Sequence, residues 1–142
     1  MSIYQSVRTK IETPIWTNYA SLSPAIPTYF DNFEDALTDA EDEFVHVNIQ
    51  FGLTTDSALT TSLDHIRGIL VIRVFTQKGQ GSKRNQTLVT SGNSAILGLN
   101  QAGKPSSGVY VRTGPVDGPT FSYEGPYYVS RIETAFEATV IS

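Results

Sequence analysis

The chemistry that this sequence could support is limited by the reactive side chains it contains. It has no cysteine and only two histidines, His46 and His65. Together with Asp56 or Asp64 the histidines could ligate a metal, but neither an i, i+4 pair nor an H-x-H pair is present. No G-x-S-x-G motif accompanies the Asp64–His65 dipeptide, and GQGSK lacks the Walker spacing. The sequence therefore predicts a protein that is not an enzyme and has no cofactor or metal.

Carboxylate pairs and a group of aromatic residues are the remaining candidates for a chemical site. Asp31 with Glu34, or Glu41 with Glu43, could act in glycoside hydrolysis, which needs two acids across a cleft. Carboxylates with an ordinary pKa of about 4 cannot donate protons at neutral pH, which favours solvated surface charge. The aromatic group comprises Phe121, Tyr123, Tyr127 and Tyr128. It could be a platform for a sugar or a single nucleic-acid strand, but it lacks a basic frame, so strand packing or a subunit contact is favoured.

The elements that would position these residues belong to one domain, residues 1–142. A chain of 142 residues can bury a core without metal or disulfide staples. Hydrophobic residues make up 39% and charged residues 17%, so a globular chain is expected. No apolar run approaches the ~20 residues of a membrane span, and MSIYQSVRTK lacks the pattern of a secretory signal. We expect a soluble protein that does not contact a membrane.

Two amphipathic helices are predicted from apolar stripes. The first begins at a capping box of Ser2 and Gln5. Its stripe comprises Ile3, Val7, Ile11 and Ile15. Pro14 lacks a backbone N–H, so this helix should end or kink around residues 12–13. Ser82 can cap the second helix. The second stripe comprises Leu88, Ala95, Ile96 and Leu99, with Gly92 beneath it.

Alternating apolar residues predict two strands on either side of a long polar connection. In EFVHVNIQF, alternate residues from Val45 to Phe51 share one face. In IRGILVIRVFTQ both faces are largely apolar, which is typical of a central strand. About fifteen residues, Gly52 to Ile66, connect these strands, where hairpin loops usually take two to five. Further strands are predicted at 28–31, 109–112 and 128–140, and a Gly- and Pro-rich loop is predicted at 115–126.

The order of the elements favours one fold class. The succession is helix, three strands, helix, two strands. With mostly antiparallel pairing, both helices can pack on one face of the sheet. The sequence therefore predicts an α+β two-layer sandwich with a long hairpin loop.

The charges are unevenly distributed along the chain. A net charge of −4 has the wrong sign for a protein that binds nucleic acid through its phosphates. Acidic residues concentrate between Asp31 and Glu43, whereas Lys78, Lys83 and Arg84 gather later. The two windows are either solvated surface regions or complementary patches of neighbouring subunits.

A succession of strand and turn patterns covers most of the chain, from about Thr28 onward. It runs through YFDNFEDALTDAEDEFVHVNIQFG, a long polar loop, TTSLDHIRGILVIRVFTQKGQGSK, a helix, GVYVRTG and YYVSRIETAFEATVI. This succession resembles the phage tail terminator-like family. The matching positions are Tyr29, Asp31 and Asn32, then Phe51 and Gly52, then Arg67 and Gly68. None of these positions is catalytic.

The resemblance implies a structural role in a tailed bacteriophage. Tail terminators form a ring, usually of six subunits, that caps the tail tube, stops its growth and joins it to the head-completion or connector proteins. DNA passes through the centre of the ring. The expected partners are therefore other copies of this chain, a tube protein and a head-completion protein. The expected location is the virion, at the head–tail interface, after assembly in the host cytoplasm.

Two alternatives stay open beside the ring protein. One is a head-completion or minor tail protein of similar fold, which size and pattern cannot separate from a terminator. The other is a small-molecule-binding α+β domain, which would need a pocket with convergent polar groups.

Two sets of residues are predicted to contact subunits or partners. Acidic residues of one subunit would approach basic residues of the next subunit or of the tube. The acidic set is Glu34, Asp35, Glu41 and Asp42, and the basic set is Lys78, Lys83 and Arg84. The long polar loop, interpreted as a projecting arm that becomes ordered on partners, adds further contacts. These are Thr55, Asp56, Leu59, Thr60 and Leu63.

Overall fold

The protein folds as two helices packed on one mostly antiparallel sheet, as a computed structural model shows. The structure describes residues 3–22, 26–30, 43–56, 63–79, 83–101 and 108–141. Within them the elements are α1 (Ile3–Ala20), β1 (Thr28–Tyr29), β2 (Phe44–Asp56), β3 (Leu63–Gln77), α2 (Lys83–Gln101), β4 (Gly108–Thr113), β5 (Asp117–Glu124) and β6 (Tyr127–Ile141). The strand order is β1-β2-β3-β6-β4, and β5 also pairs with β6. The predicted α+β fold class is confirmed.

The main core lies between the helices and one face of the sheet, called the inner face below. Alternate residues of the central strand β3, Leu70, Ile72 and Val74, are completely buried there. They join one cluster with Val7 and Ile11 of α1 and with the apolar stripe of α2. The alternation of the strands and the i+4 stripes of the helices thus meet in a single interface. The predicted central position of β3, between β2 and β6, is confirmed.

Helix α1 continues past Pro14, so the prediction that it ends or kinks around residues 12–13 was wrong about its end. Pro14 lies inside the helix, which runs to Ala20. The residues beyond it include Ile15 and Tyr19, which are both completely buried. Burying two large side chains contributes about 3–6 kcal/mol, which offsets the ~3 kcal/mol cost of an interior proline. Tertiary packing therefore outweighs the local preference.

The connection between β2 and β3 is much shorter than predicted. The two strands stay paired as far as Asp56 opposite Asp64, with a register shift between Phe51 and Thr54. Only residues 57–62 lie between the ends of the strands. The prediction failed because ladder hydrogen bonds are made by the backbone and do not require apolar side chains. Strand β3 is also supported from its other side by β6, down to Leu63 opposite Ile141.

The predicted loop at residues 115–126 contains strand β5, so that prediction was also wrong. Strands β4 and β5 lie one after the other along the same edge of β6. A two-residue turn, Gly125–Pro126, joins β5 to β6. Gly125 has φ 54°, and Pro126 is restricted to negative φ, a combination that a type II′ hairpin turn accepts. Strand β5 was not predicted because Gly118 and Pro119, which are typical of turns and loops, interrupt its strand pattern in the sequence.

Candidate assembly surfaces

The structure describes only part of the predicted contact set. Half of the predicted residues lie outside the described ranges. They are Glu34, Asp35, Glu41, Asp42, Leu59 and Thr60. The described half consists of Thr55, Asp56 and Leu63 in the β2–β3 hairpin, and Lys78, Lys83 and Arg84 around the start of α2.

The two described groups lie at opposite ends of the sheet. Thr55 pairs with His65, and Leu63 pairs with Ile141 near the end of β6. Lys78 follows Gln77, which pairs with Tyr127 at the start of β6. Strand β3 spans the whole distance in 15 residues, or roughly 45 Å at the usual rise of a strand. One end of the sheet therefore carries the paired ends of β2 and β3, called the hairpin end below, and the other end carries lysines.

Arg84 forms a two-point ion pair with Glu43 of the same chain. Its Nε donates to Glu43 Oε2 at 2.8 Å, and its Nη2 donates to Glu43 Oε1 at 3.0 Å. These hydrogen bonds to the Glu43 carboxylate raise the pKa of Arg84. The carboxylate also offsets an arginine in the first turn of α2, where the helix dipole disfavours positive charge. Glu43, the last acid of the acidic window, therefore binds Arg84 within the subunit, and a contact of Arg84 with a neighbour stays a prediction.

A buried asparagine fixes the start of α2 on the sheet. Asn85 is completely buried, and its Nδ2 donates to Val74 O at 3.2 Å and to Tyr128 O at 3.1 Å. Its Oδ1 accepts a hydrogen bond from Ser130 Oγ. Since a buried amide is costly unless it is paired, this arrangement specifies how α2 sits over β3 and β6. Sequence reasoning missed Asn85, although it lies one turn before Leu88 on the apolar stripe of α2.

An aromatic patch lies at the edge of the sheet, where strand β5 pairs with the start of β6. The patch consists of Phe121, Tyr123, Tyr128 and Lys78. The rings of Phe121 and Tyr128 stack at 5.5 Å with an interplanar angle of 9°, and Tyr123 contacts Tyr128 at 5.4 Å. The Lys78 ammonium lies 5.4 Å from the centre of the Tyr123 ring. Phe121 and Tyr123 are 43% and 66% exposed, so the patch faces solvent.

Tyr127 does not belong to the aromatic patch. Because side chains alternate along β6, it lies on the opposite face of the sheet from Tyr128. There it is 4% exposed and packs edge-on against Phe44 at 5.2 Å and Phe75 at 5.7 Å. The four aromatic residues grouped in the sequence therefore divide into a surface patch of three and one core residue.

The outer face of the sheet, opposite the helices, carries charges of both signs. Arg73 and Arg131 are direct cross-strand partners, which alone would repel. Arg73 contacts Glu124 at 3.5 Å, and Arg131 contacts Glu133 at 2.8 Å. Each arginine is thus compensated by its own glutamate, and the described middle of this face is balanced in charge.

Residues that carry the family resemblance meet at one place in the sheet. Phe51 is the cross-strand partner of Gly68, and Gly68 is in turn the partner of Phe136. A Cβ at Gly68 would come within 2.6 Å of the Phe136 ring, so no other residue fits without a shift. The Phe51 and Phe136 rings meet edge-on at 6.1 Å across this glycine. The matched positions Phe51 and Gly68 therefore have a packing role.

The two histidines are too far apart to share a ligand. His46 pairs with Arg73, whereas His65 lies eight residues earlier on β3, roughly 26 Å away. His65 Nδ1 instead contacts Glu137 Oε1 at 3.3 Å and Thr139 Oγ1 at 3.2 Å. Among the described residues, no group of three or more His, Asp or Glu side chains is placed to hold a metal ion. In the same residues, no helix is long and apolar enough to span a membrane.

The fold places the chain in the class of two-layer α+β proteins, and known structures share it. No protein-family model matches the chain, and no curated protein matches it. Solved structures do match, 26 chains in all. One of them, whose name states neither an activity nor an organism, aligns over 97% of this chain and 96% of its own length, with a TM-score of 0.70. At 16% identity this likeness shows the fold alone.

Proposed function

We propose that this chain is a structural subunit of a tailed-bacteriophage tail terminator ring. The ring, of six copies, caps the tail tube, stops its growth and joins it to the head-completion proteins while DNA passes through its centre. The chain acts in the virion and performs no catalysis. One observation carries the proposal beyond the sequence resemblance: the described contact residues lie at opposite ends of one long sheet.

A ring of identical subunits needs such an arrangement. Head-to-tail contacts pair two different patches of the subunit, and the angle between these patches decides whether the ring closes. Strand β3 is paired along its length with β2 on one side and β6 on the other. The hairpin end and the lysine end are therefore held at a fixed separation and angle, which supports closure into a defined ring.

The charges of the outer face suit a protein that lets DNA pass. A strongly basic wall would retain the phosphate backbone, because each neutralised phosphate adds to affinity. The arginines in the described middle of the outer face are compensated by Glu124 and Glu133. A subunit that turned this face towards the channel would offer DNA little net attraction.

Assembly state tests the proposal. The purified chain is passed through size-exclusion chromatography with light scattering, and its binding to isolated tail tubes is followed by negative-stain microscopy. We expect ring-sized particles, or particles at tube ends, that weaken as salt rises. Replacing Lys78 and Lys83 by Glu should abolish them, whereas the matched exchange of exposed Lys10 on α1 should not.

Two results would contradict the ring. A chain that stays monomeric at all concentrations and does not bind tube ends is not a terminator. Binding to head connectors without binding to tubes would favour the alternative, a head-completion protein of similar fold.

A further inference from the structure

Strand β5 is an edge strand whose two halves differ in protection. Among the described residues it pairs only with β6, and all eight of its residues are exposed. Proteins usually protect such edges with prolines, bulges or charges. The first half of β5 has Gly118, Pro119 and a register shift before Thr120. The second half, residues 121–124, has only the charge of Glu124, so it is open to another strand.

The direction of the backbone groups shows which residues would bind that strand. The two-residue turn makes Glu124 and Tyr127 a hydrogen-bonded pair at the end of the hairpin. Because hydrogen bonding alternates along a strand, Ser122 also bonds to β6. Phe121 and Tyr123 therefore point their N–H and C=O groups away from the sheet. The same two residues carry the exposed rings of the aromatic patch.

We propose that this edge binds a second copy of the same edge, with two β5 strands antiparallel and centred on Ser122. In this register Phe121 faces Tyr123 of the partner subunit, and about four backbone hydrogen bonds form between the outward groups of these residues. The two sheets become one continuous sheet across a two-fold axis. The pairing is independent of the ring, whose head-to-tail contacts join different patches.

The edge is complementary to itself, which favours a second copy of the chain as its partner. On the inner face the pairing places aromatic rings opposite each other, a favourable cross-strand combination. On the outer face Glu124 meets Thr120 of the partner subunit, and Ser122 meets its own copy, so no like charges oppose. Pro119, which has no N–H to donate, falls opposite Gly125 and outside the hydrogen-bonded stretch.

The dimer should be weak and depend on concentration. A short edge strand buries much less than the ~1,200 Å² at the lower end of stable interfaces. Sedimentation equilibrium over a wide concentration range is the suitable measurement. At a salt concentration high enough to dissociate rings, the unmodified chain should show a monomer–dimer equilibrium.

A charge swap at Ser122 tests the register. Ser122→Asp and Ser122→Lys each place like charges face to face, so each variant alone should dimerise about fivefold more weakly than the unmodified chain. An equal mixture of the two should recover dimers, because Asp then faces Lys. Circular dichroism checks that both variants keep the fold.

A backbone substitution tests the hydrogen bonds. Tyr123→Pro removes an N–H that β6 does not use, a position where an edge strand tolerates proline. It should weaken dimerisation about thirtyfold, since two hydrogen bonds are lost per dimer. Tyr123→Ala also removes the aromatic side chain but keeps the backbone N–H. It therefore separates the loss of the hydrogen bonds from the loss of the aromatic side chain, and it should weaken dimerisation less.

The outcomes separate this pairing from the ring. A chain that never dimerises, or Asp and Lys variants that behave alike alone and mixed, would overturn the pairing. If ring-sized particles form and the Ser122 exchanges change no association of the chain, the result would support the proposed function and still overturn the β5 contact. A dimer that follows the charge swap supports the β5 contact whether or not rings form.

Discussion

The inner and outer faces of strand β3 show how one strand can serve two purposes. On the inner face Leu70, Ile72 and Val74 are all 0% exposed under the helices. On the outer face Ile69 is 40% exposed, and the neighbouring Arg73 contacts a glutamate. The inner face buries apolar area and stabilises the fold. The outer face is mixed: Val71 and Phe75 are buried, whereas Ile69 and the ion pair of Arg73 are at least partly exposed and contribute little.

This difference separates stability from assembly. Substitutions of buried residues on the inner face should act through unfolding, and those of exposed residues on the outer face or on the sheet edges should act through contacts with other molecules. The predictions below test that separation, from the largest expected effect to the smallest.

Ile72→Ala should destabilise the protein by about 2–5 kcal/mol, because it leaves a cavity in a completely buried site. Ile69→Ala makes the same chemical change on the outer face of the same strand and should cost less than about 1 kcal/mol. Urea unfolding followed by circular dichroism measures both. Equal losses for the two variants would show that the outer face is buried as deeply as the inner face.

Tyr19→Phe should lower stability at pH 7 by about 1 kcal/mol, since the Tyr19 hydroxyl donates to Leu88 O at 2.7 Å. Burial raises the pKa of Tyr19 above its ordinary value of 10.0. The unfolded chain therefore releases this proton first, so the stability that the neutral phenol provides is present below pH 10 and is lost as pH rises above it.

The pH profile supplies the control for Tyr19. Above pH 10 the unmodified chain should lose stability faster than Tyr19→Phe, by up to about 1.4 kcal/mol per pH unit. Parallel profiles would mean that the Tyr19 hydroxyl is accessible to water and that the helix layer is loosely packed.

The Glu43–Arg84 pair, at the rim where the helix layer meets the sheet, should contribute least. Its arginine side chain is 37% exposed, so solvent screening limits the coupling to about 0.2–1 kcal/mol, decreasing with salt. A double-mutant cycle of Glu43→Gln and Arg84→Met measures this coupling. A salt-independent coupling of several kcal/mol would place the pair in the buried layer instead.

The sequence by itself determined the elements whose side chains repeat with a clear period. The stripe Val7, Ile11 and Ile15, the stripe of α2 and the alternation in β2, β3 and β6 predicted the helices, the long strands and the two-layer class. This succeeded because periodicity reports directly which side of an element meets the core. The same patterns indicated the central position of β3, since both of its faces are largely apolar.

Only the tertiary structure decided where several elements end and which side chains meet. Helix α1 passes Pro14 because Ile15 and Tyr19 are buried beyond it. Strands β2 and β3 extend through polar residues because neighbouring backbones pair with them. Phe121 and Tyr123 lie beside Tyr128 because of the register of β5 on β6. These features depend on contacts between residues distant in the chain, which a local pattern does not report.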